Sequence, residues 1–323
     1  MTTTTIGTVT SADGTEIAYH EVGHGPGLVI LHGAMQTGHS QIELAQALSD
    51  AFTCYLPDRR GRGRSGPAGP DYGLRSEIED LEALLDATQA PYVAGVSSGA
   101  IITLRTLLER PDIRKAVVFE PPLFEDANAF PSDCLPRLDR ELAAGKTAAA
   151  LVTGMKAARL GPPIFQALPR PVLELLTTLM LKRQDGQSFG QLAPTLRQDL
   201  ELAARAAGDL AVYRPVRAEV LLLGGTRSPA YLRSALAGLE RVPPRARRVL
   251  MEGLDHSATS NAAQRGHPDR VATEIRRFLL KAANPDAANP DANDPGAAKP
   301  NATAPDAANL DAADPEGSSL TDA

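Results

Sequence analysis

The sequence has no tryptophan, and its aromatic residues amount to only 4% of the chain. A core made under that restriction must come mostly from Leu, Val, Ile and Ala. There are two cysteines, Cys54 and Cys134, far apart in sequence. They give no metal-ligand spacing and suit a reducing compartment, so a cytoplasmic protein is expected, with no metal and no cofactor. No run approaches the roughly 20 apolar residues that cross a bilayer. The opening MTTTTIGTVTSADG lacks the basic region and apolar run of a secretory signal. Net charge of one sign is also missing from the body of the chain. The formal total is -6, but residues 282–323 hold eight acids against Lys299 alone, which leaves residues 1–281 at +1. Nothing in that balance calls for nucleic acid or an anionic membrane as a partner.

What is present is an alternation. The segments 15–22, 27–31, 52–58, 92–95 and 115–120 read as strands, the later ones as short apolar runs of the fully buried kind. Between them, 76–88 places Ile78, Leu81, Leu84 and Leu85 on one helical face, and 101–108 is helical up to Pro111. The alternation returns with a strand at 219–223, a helix at 231–239, a strand at 248–251 and a helix at 269–280. Strands alternating with helices predict a parallel sheet covered on both faces. The interval 123–214 breaks the pattern with helical segments and prolines, and it is too long for a simple connection. The expected division is a core of 1–122 and 215–281, a helical cap of 123–214 and a tail of 282–323. The tail repeats Asn-Pro-Asp-Ala units and has little that could bury, so it is expected to be disordered.

The chemistry gathers at Gly95-Val96-Ser97-Ser98-Gly99. This stretch follows a buried strand and precedes a helix, where a G-x-S-x-G nucleophile elbow belongs. Such a turn needs small residues two before and two after the nucleophile. Centred on Ser97 these are Gly95 and Gly99; centred on Ser98 they would be Val96 and Ala100. Ser97 is therefore the candidate nucleophile. Ser98 is expected to contribute only its backbone N–H, a donor to an oxyanion at the helix N-terminus. His32-Gly33-Ala34 ends an earlier strand, and the Ala34 N–H is the candidate second donor, with Met35 as its alternative. Of the six histidines, His256 in Gly253-Leu254-Asp255-His256 directly follows the last strand. Its loop returns over the carboxyl end of the sheet, so His256 is the candidate base. The loop after the next-to-last strand, Leu223 to Pro229, contains no acid, and Ser228 stands where one would be expected. Glu120 closes the neighbouring strand and becomes the candidate carboxylate. Asp255 adjoins the histidine, but neighbouring side chains on an extended loop point apart.

These features, with Pro57-Asp58-Arg59-Arg60-Gly61-Arg62-Gly63-Arg64-Ser65 after the third strand, resemble the α/β-hydrolase superfamily over about residues 10–281. The resemblance implies an eight-stranded, mostly parallel sheet with a helical cap over the active site. It also implies that the arginine-rich run is a loop packed beside that site, not a nucleic-acid patch. The missing acid at Ser228 departs from the commonest pattern. Some members, haloalkane dehalogenases among them, place the acid after the strand that Glu120 ends. Those enzymes, like epoxide hydrolases, use an Asp nucleophile, so Ser97 argues against both activities. The expectation is a serine hydrolase acting on a small ester, or on an amide or thioester. An acyltransferase or tailoring enzyme on the same triad is one alternative, and a non-catalytic ligand-binding member is another. The only partner expected is a small-molecule substrate; substrate identity and oligomeric state are left open.

Removing residues 282–323 is expected to leave the melting temperature unchanged within about a degree, since the tail has no apolar periodicity to bury. A calorimetric drop of several degrees would show that it docks on the body.

Overall fold

In the computed structural model, the described residues are 4–281 without 132, 160, 162, 183–188 and 209. The expected tail at 282–323 lies outside them. Eight strands form one sheet: β1 (Thr4–Thr10), β2 (Glu16–Gly23), β3 (Gly27–Leu31), β4 (Thr53–Pro57), β5 (Tyr92–Val96), β6 (Lys115–Phe119), β7 (Glu219–Gly225) and β8 (Ala246–Met251). Their spatial order is β1-β2-β4-β3-β5-β6-β7-β8. The pairs β1–β2 and β2–β4 are antiparallel, and every pair from β4 to β8 is parallel.

The central strands are buried on both faces, which is why they read as unbroken apolar runs. Alternate residues supply two separate cores. Val29 and Leu31 of β3, with Val220 and Leu222 of β7, pack toward Ile78, Leu81, Leu84 and Leu85 of α2 (Leu74–Thr88) and toward α3 (Ser98–Glu109). Leu28, Ile30, Leu221 and Leu223 pack on the other face against Leu44 and Leu48 of α1 (Ile42–Leu48) and Val271, Ile275 and Phe278 of the C-terminal helix (Pro268–Leu280).

Strand β1 was not foreseen. Its sequence TTIGTVT is exposed along most of its length, Ile6 included, so it carries no buried stripe. It exists through its seven-residue antiparallel register with β2. Helix α1 follows His39, where the sequence reads as a helix start, and is only seven residues long.

Between β6 and β7 the described residues are helical: α4 (Cys134–Ala143), α5 (Thr147–Ala157), α6 (Pro163–Ala167), α7 (Arg170–Leu181) and α8 (Leu196–Ala206). Leu138, Ala150, Leu151 and Leu200 join the core on the α2–α3 side of the sheet. No helix among the described residues is long and apolar enough to cross a membrane.

The elbow after β5 depends on its glycines. A Cβ at Gly95 would lie 2.6 Å from the Gly99 carbonyl oxygen and 2.7 Å from the Ala100 Cα. At Gly99 it would lie 2.5 Å from the His32 carbonyl oxygen. Both contacts are with backbone, which cannot step aside. Gly95→Ala is expected to cost about 1–3 kcal/mol through overpacking and to lower the melting temperature by several degrees. An unchanged melting temperature would show that the turn can open without penalty.

Candidate active site

Ser97 lies between the end of β5 and the start of α3, with φ 54° and ψ -120°. A non-glycine residue with positive φ is strained, and three meet here: Met35 (φ 58°), Ser97 and Glu120 (φ 45°). The Ser97 N–H donates to the Phe119 carbonyl at 2.9 Å, and the Glu120 N–H donates to the Leu223 carbonyl at 3.1 Å. Thus the neighbouring parallel strand fixes each strained turn. The Ser97 side chain is thereby lifted off the carboxyl end of the sheet.

His256 lies in the loop after β8. Its Nε2 is 3.1 Å from Ser97 Oγ, and its Nδ1 is 2.7 Å from Glu120 Oε2. A carboxylate only accepts, so Nδ1 carries the proton, Nε2 is left to accept, and the Ser97 hydroxyl donates to it. Glu120 is fully buried. Its other oxygen, Oε1, accepts the Gly225 N–H at 2.7 Å. Gly224 makes room for it, since a Cβ there would lie 2.9 Å from Glu120 Oε1. Asp255 turns away and accepts from the Ser257 N–H and hydroxyl at 2.9 and 2.6 Å. Ser228 is buried, and its Oγ has no hydrogen-bond partner among the described residues.

The loop after β3 abuts the serine. A Cβ at Gly33 would lie 2.9 Å from the Ser97 Cβ. Gln36 stitches this loop to the His256 loop: its Oε1 accepts the Gly33 N–H at 3.0 Å, and its Nε2 donates to Ser260 Oγ at 3.0 Å. Among the described residues, neither the Ala34 nor the Ser98 N–H donates to a protein acceptor. Ala34, Met35, Ser97, Ser98 and His256 line one cavity of about 720 Å³.

The arginine-rich run faces inward. Arg59, Arg60 and Arg62 are almost fully buried. Arg60 pairs with Asp80 at 2.6 Å and Asp13 at 2.7 Å. Arg59 forks onto Glu77, with Nε at 2.9 Å and Nη2 at 2.6 Å, and its Nη1 donates to Asp199 at 2.7 Å. Arg62 reaches the second Asp199 oxygen at 2.8 Å. Burial alone would raise the Asp199 carboxyl, but the Arg62 and Arg59 guanidiniums hold it down at about 2.

Asp199 had no signature in the sequence. It is one acid on an amphipathic helix, α8, and its partners lie 101–140 residues away. It also gives the Ser98 side chain a task that the sequence did not suggest. Ser98 Oγ–H donates to Asp199 Oδ1 at 2.8 Å while accepting from Arg59 Nη1 at 3.0 Å. No group of three or more metal-ligating side chains occurs among the described residues.

Comparison with known proteins agrees with this architecture. Residues 28–274 match the model of the alpha/beta hydrolase family. An alpha/beta hydrolase from Sphaerobacter thermophilus is similar in structure, with a TM-score of 0.71 and 31% identity over 84% of this chain and 100% of that one. The 2-(acetamidomethylene)succinate hydrolase of Mesorhizobium japonicum is 25% identical over 73% of this chain and 83% of its own length. The cis-3-alkyl-4-alkyloxetan-2-one decarboxylase of Shewanella oneidensis is 38% identical, but the match spans only 24% of this chain and 25% of that protein. The chain belongs to the alpha/beta hydrolase family. It is an enzyme of that family.

The buried charges allow one stability test. Removing one member of a buried ion pair leaves its partner uncompensated, at a cost of about 3–5 kcal/mol. Arg59→Met is expected to lose stability on that scale in denaturant titration, because Glu77 and Asp199 then share Arg62 alone. A loss below about 1 kcal/mol would show that water or another cation replaces it.

Proposed function

We propose that the chain is a serine hydrolase that cleaves esters through an acyl-enzyme on Ser97. The observation that carries this reading is the continuous line from Ser97 Oγ through the His256 ring to Glu120, with spacings of 3.1 and 2.7 Å. Ser97 attacks the acyl carbonyl as His256 Nε2 takes its proton. The N–H groups of Ser98 and Ala34 stabilise the oxyanion. His256 returns the proton to the leaving alcohol, which departs. It then draws a proton from water, which attacks the acyl carbon; the bond to Ser97 Oγ breaks, His256 returns the proton to Oγ, and the acid leaves. Glu120 holds the imidazole in the Nδ1–H tautomer and stabilises the imidazolium. The helices between β6 and β7 act as a cap that contributes most of the cavity wall.

The alternative acyltransferase reading uses the same steps, with a second alcohol or amine in place of water. Product analysis with competing nucleophiles decides between them.

Ser97→Ala is expected to abolish ester hydrolysis and fluorophosphonate labelling. Peptide mapping that placed the label on Ser98 would overturn the assignment.

Glu120→Gln tests the third member. Its amide oxygen can still accept from Gly225, so the fold should persist, but its NH₂ would face His256 Nδ1 and favour the wrong tautomer. The kcat should fall by orders of magnitude, in the direction of the ~10⁴-fold loss known for the equivalent change in serine proteases. Asp255→Asn should do far less. A fully active Glu120→Gln enzyme would remove Glu120 from the mechanism.

A further inference from the structure

The cavity wall distinguishes among esters. Among the described residues, the inserted segment lines the cavity with polar side chains only at Thr177 and Asp199; the rest of its contribution is aliphatic, aromatic or glycine. Asp199 is neutralised by Arg59 and Arg62. His256 is the one basic side chain on the described wall, and it faces Ser97 and Glu120. Among the described residues, a substrate carboxylate would therefore find no free cation, and it would meet a carboxylate. The apolar lining also continues outward: Leu176, Met180 and Phe189 line the cavity yet remain 46%, 39% and 38% exposed.

We infer that the ester taken by this site carries an uncharged aliphatic chain of roughly eight to twelve carbons, a size suited to a cavity of several hundred Å³. The chain lies on Leu151, Met155 and Leu173, and its far end lies over Leu176, Met180 and Phe189. This inference rests on the ester-hydrolase reading.

The test is a series of p-nitrophenyl esters from two to twelve acyl carbons, each below its micellar concentration. Each buried methylene should raise kcat/KM about threefold up to roughly eight carbons. A chain of equal length ending in a carboxylate should react at least a hundredfold more slowly than the neutral one. Leu176→Asp should lower the ratio of decanoate to acetate turnover about tenfold. A flat series, a maximum at two to four carbons, or a preference for the terminal carboxylate overturns the inference and leaves the hydrolase reading intact. If no ester is turned over, the hydrolase reading fails. Thermal stabilisation of Ser97→Ala by methyl decanoate, and not by methyl acetate, would then still support the ligand class; equal or absent stabilisation overturns it.

A separate set of contacts points to Asp199 as a positioning residue for both candidate oxyanion donors. On one side Asp199 accepts from Ser98 Oγ. On the other it accepts from Arg59, whose backbone N–H donates to His32 Nε2 at 3.1 Å. That leaves the proton on His32 Nδ1, which donates to the Gly33 carbonyl at 2.8 Å. The Gly33 carbonyl and the Ala34 N–H belong to one peptide plane, so this bond sets the direction of the Ala34 donor. Burial, with Arg59 and Arg62 nearby, pushes His32 well below the ordinary histidine range, which keeps the ring neutral and able to accept.

Asp199→Asn should lower kcat roughly ten- to a hundredfold, as small misplacements of catalytic groups do. KM should stay within about twofold, and affinity for a boronate transition-state analogue should fall in parallel with kcat. Leu202→Ala, a buried change on the same helix outside the cavity lining, controls for lost stability and should leave kcat unchanged. A lower melting temperature for Asp199→Asn with kcat within twofold of wild type, or a change carried wholly by KM, overturns the assignment.

Discussion

A fully buried carboxylate must have its oxygens answered by donors, or its burial costs several kcal/mol. Glu120 meets this demand with one backbone donor and one side-chain donor: Gly225 N–H takes Oε1, and His256 Nδ1 takes Oε2. Much of the site follows from that pair of bonds. The end of β7 carries no side chain at Gly224, because the Glu120 carboxylate fills that space. Gly225 is closed in the same way, since a Cβ there would lie 2.8 Å from the Asp255 backbone nitrogen, and this lets the histidine loop come down onto the strand. Glu120 itself adopts a positive φ, at a cost of order 1–3 kcal/mol that the surrounding bonds must offset.

Much of this was legible in the sequence. The parallel sheet showed as apolar runs separated by helical periods, and β3 to β7 each lie within a few residues of the expected bounds. The serine could be chosen between two neighbours by sterics alone, and the contacts at Gly95 and Gly99 supply the reason. The absence of an acid from Leu223 to Pro229 directed attention to Glu120. The Gly224-Gly225 pair takes on meaning only in the structure, where the missing side chain at Gly224 leaves space for Glu120. What stayed hidden was structure without a periodic or local signature. Strand β1 is exposed and depends on its partner, and Asp199 acquires meaning only from residues distant in sequence.

The arginine-rich run shows how composition misleads when burial is unknown. Four arginines in the six positions from 59 to 64 would be a basic patch if exposed, but three of them, Arg59, Arg60 and Arg62, are buried. Each of the three faces at least one buried acid: Glu77 and Asp199 for Arg59 and Arg62, Asp80 for Arg60. Planar guanidiniums suit this role, because two parallel donors satisfy both oxygens of one carboxylate.

The charge pairs also divide the labour between the two parts of the chain. Glu77 comes from α2 and Asp199 from α8 of the inserted segment, and Arg59 joins them in one cluster. A purely apolar contact between the insertion and the core could slide, since burial is nondirectional. Fork-shaped ion pairs cannot slide without leaving a buried charge unpaired. The apolar wall of the insertion is thus free to fit a substrate's shape, while Asp199 fixes where that wall sits relative to Ser97.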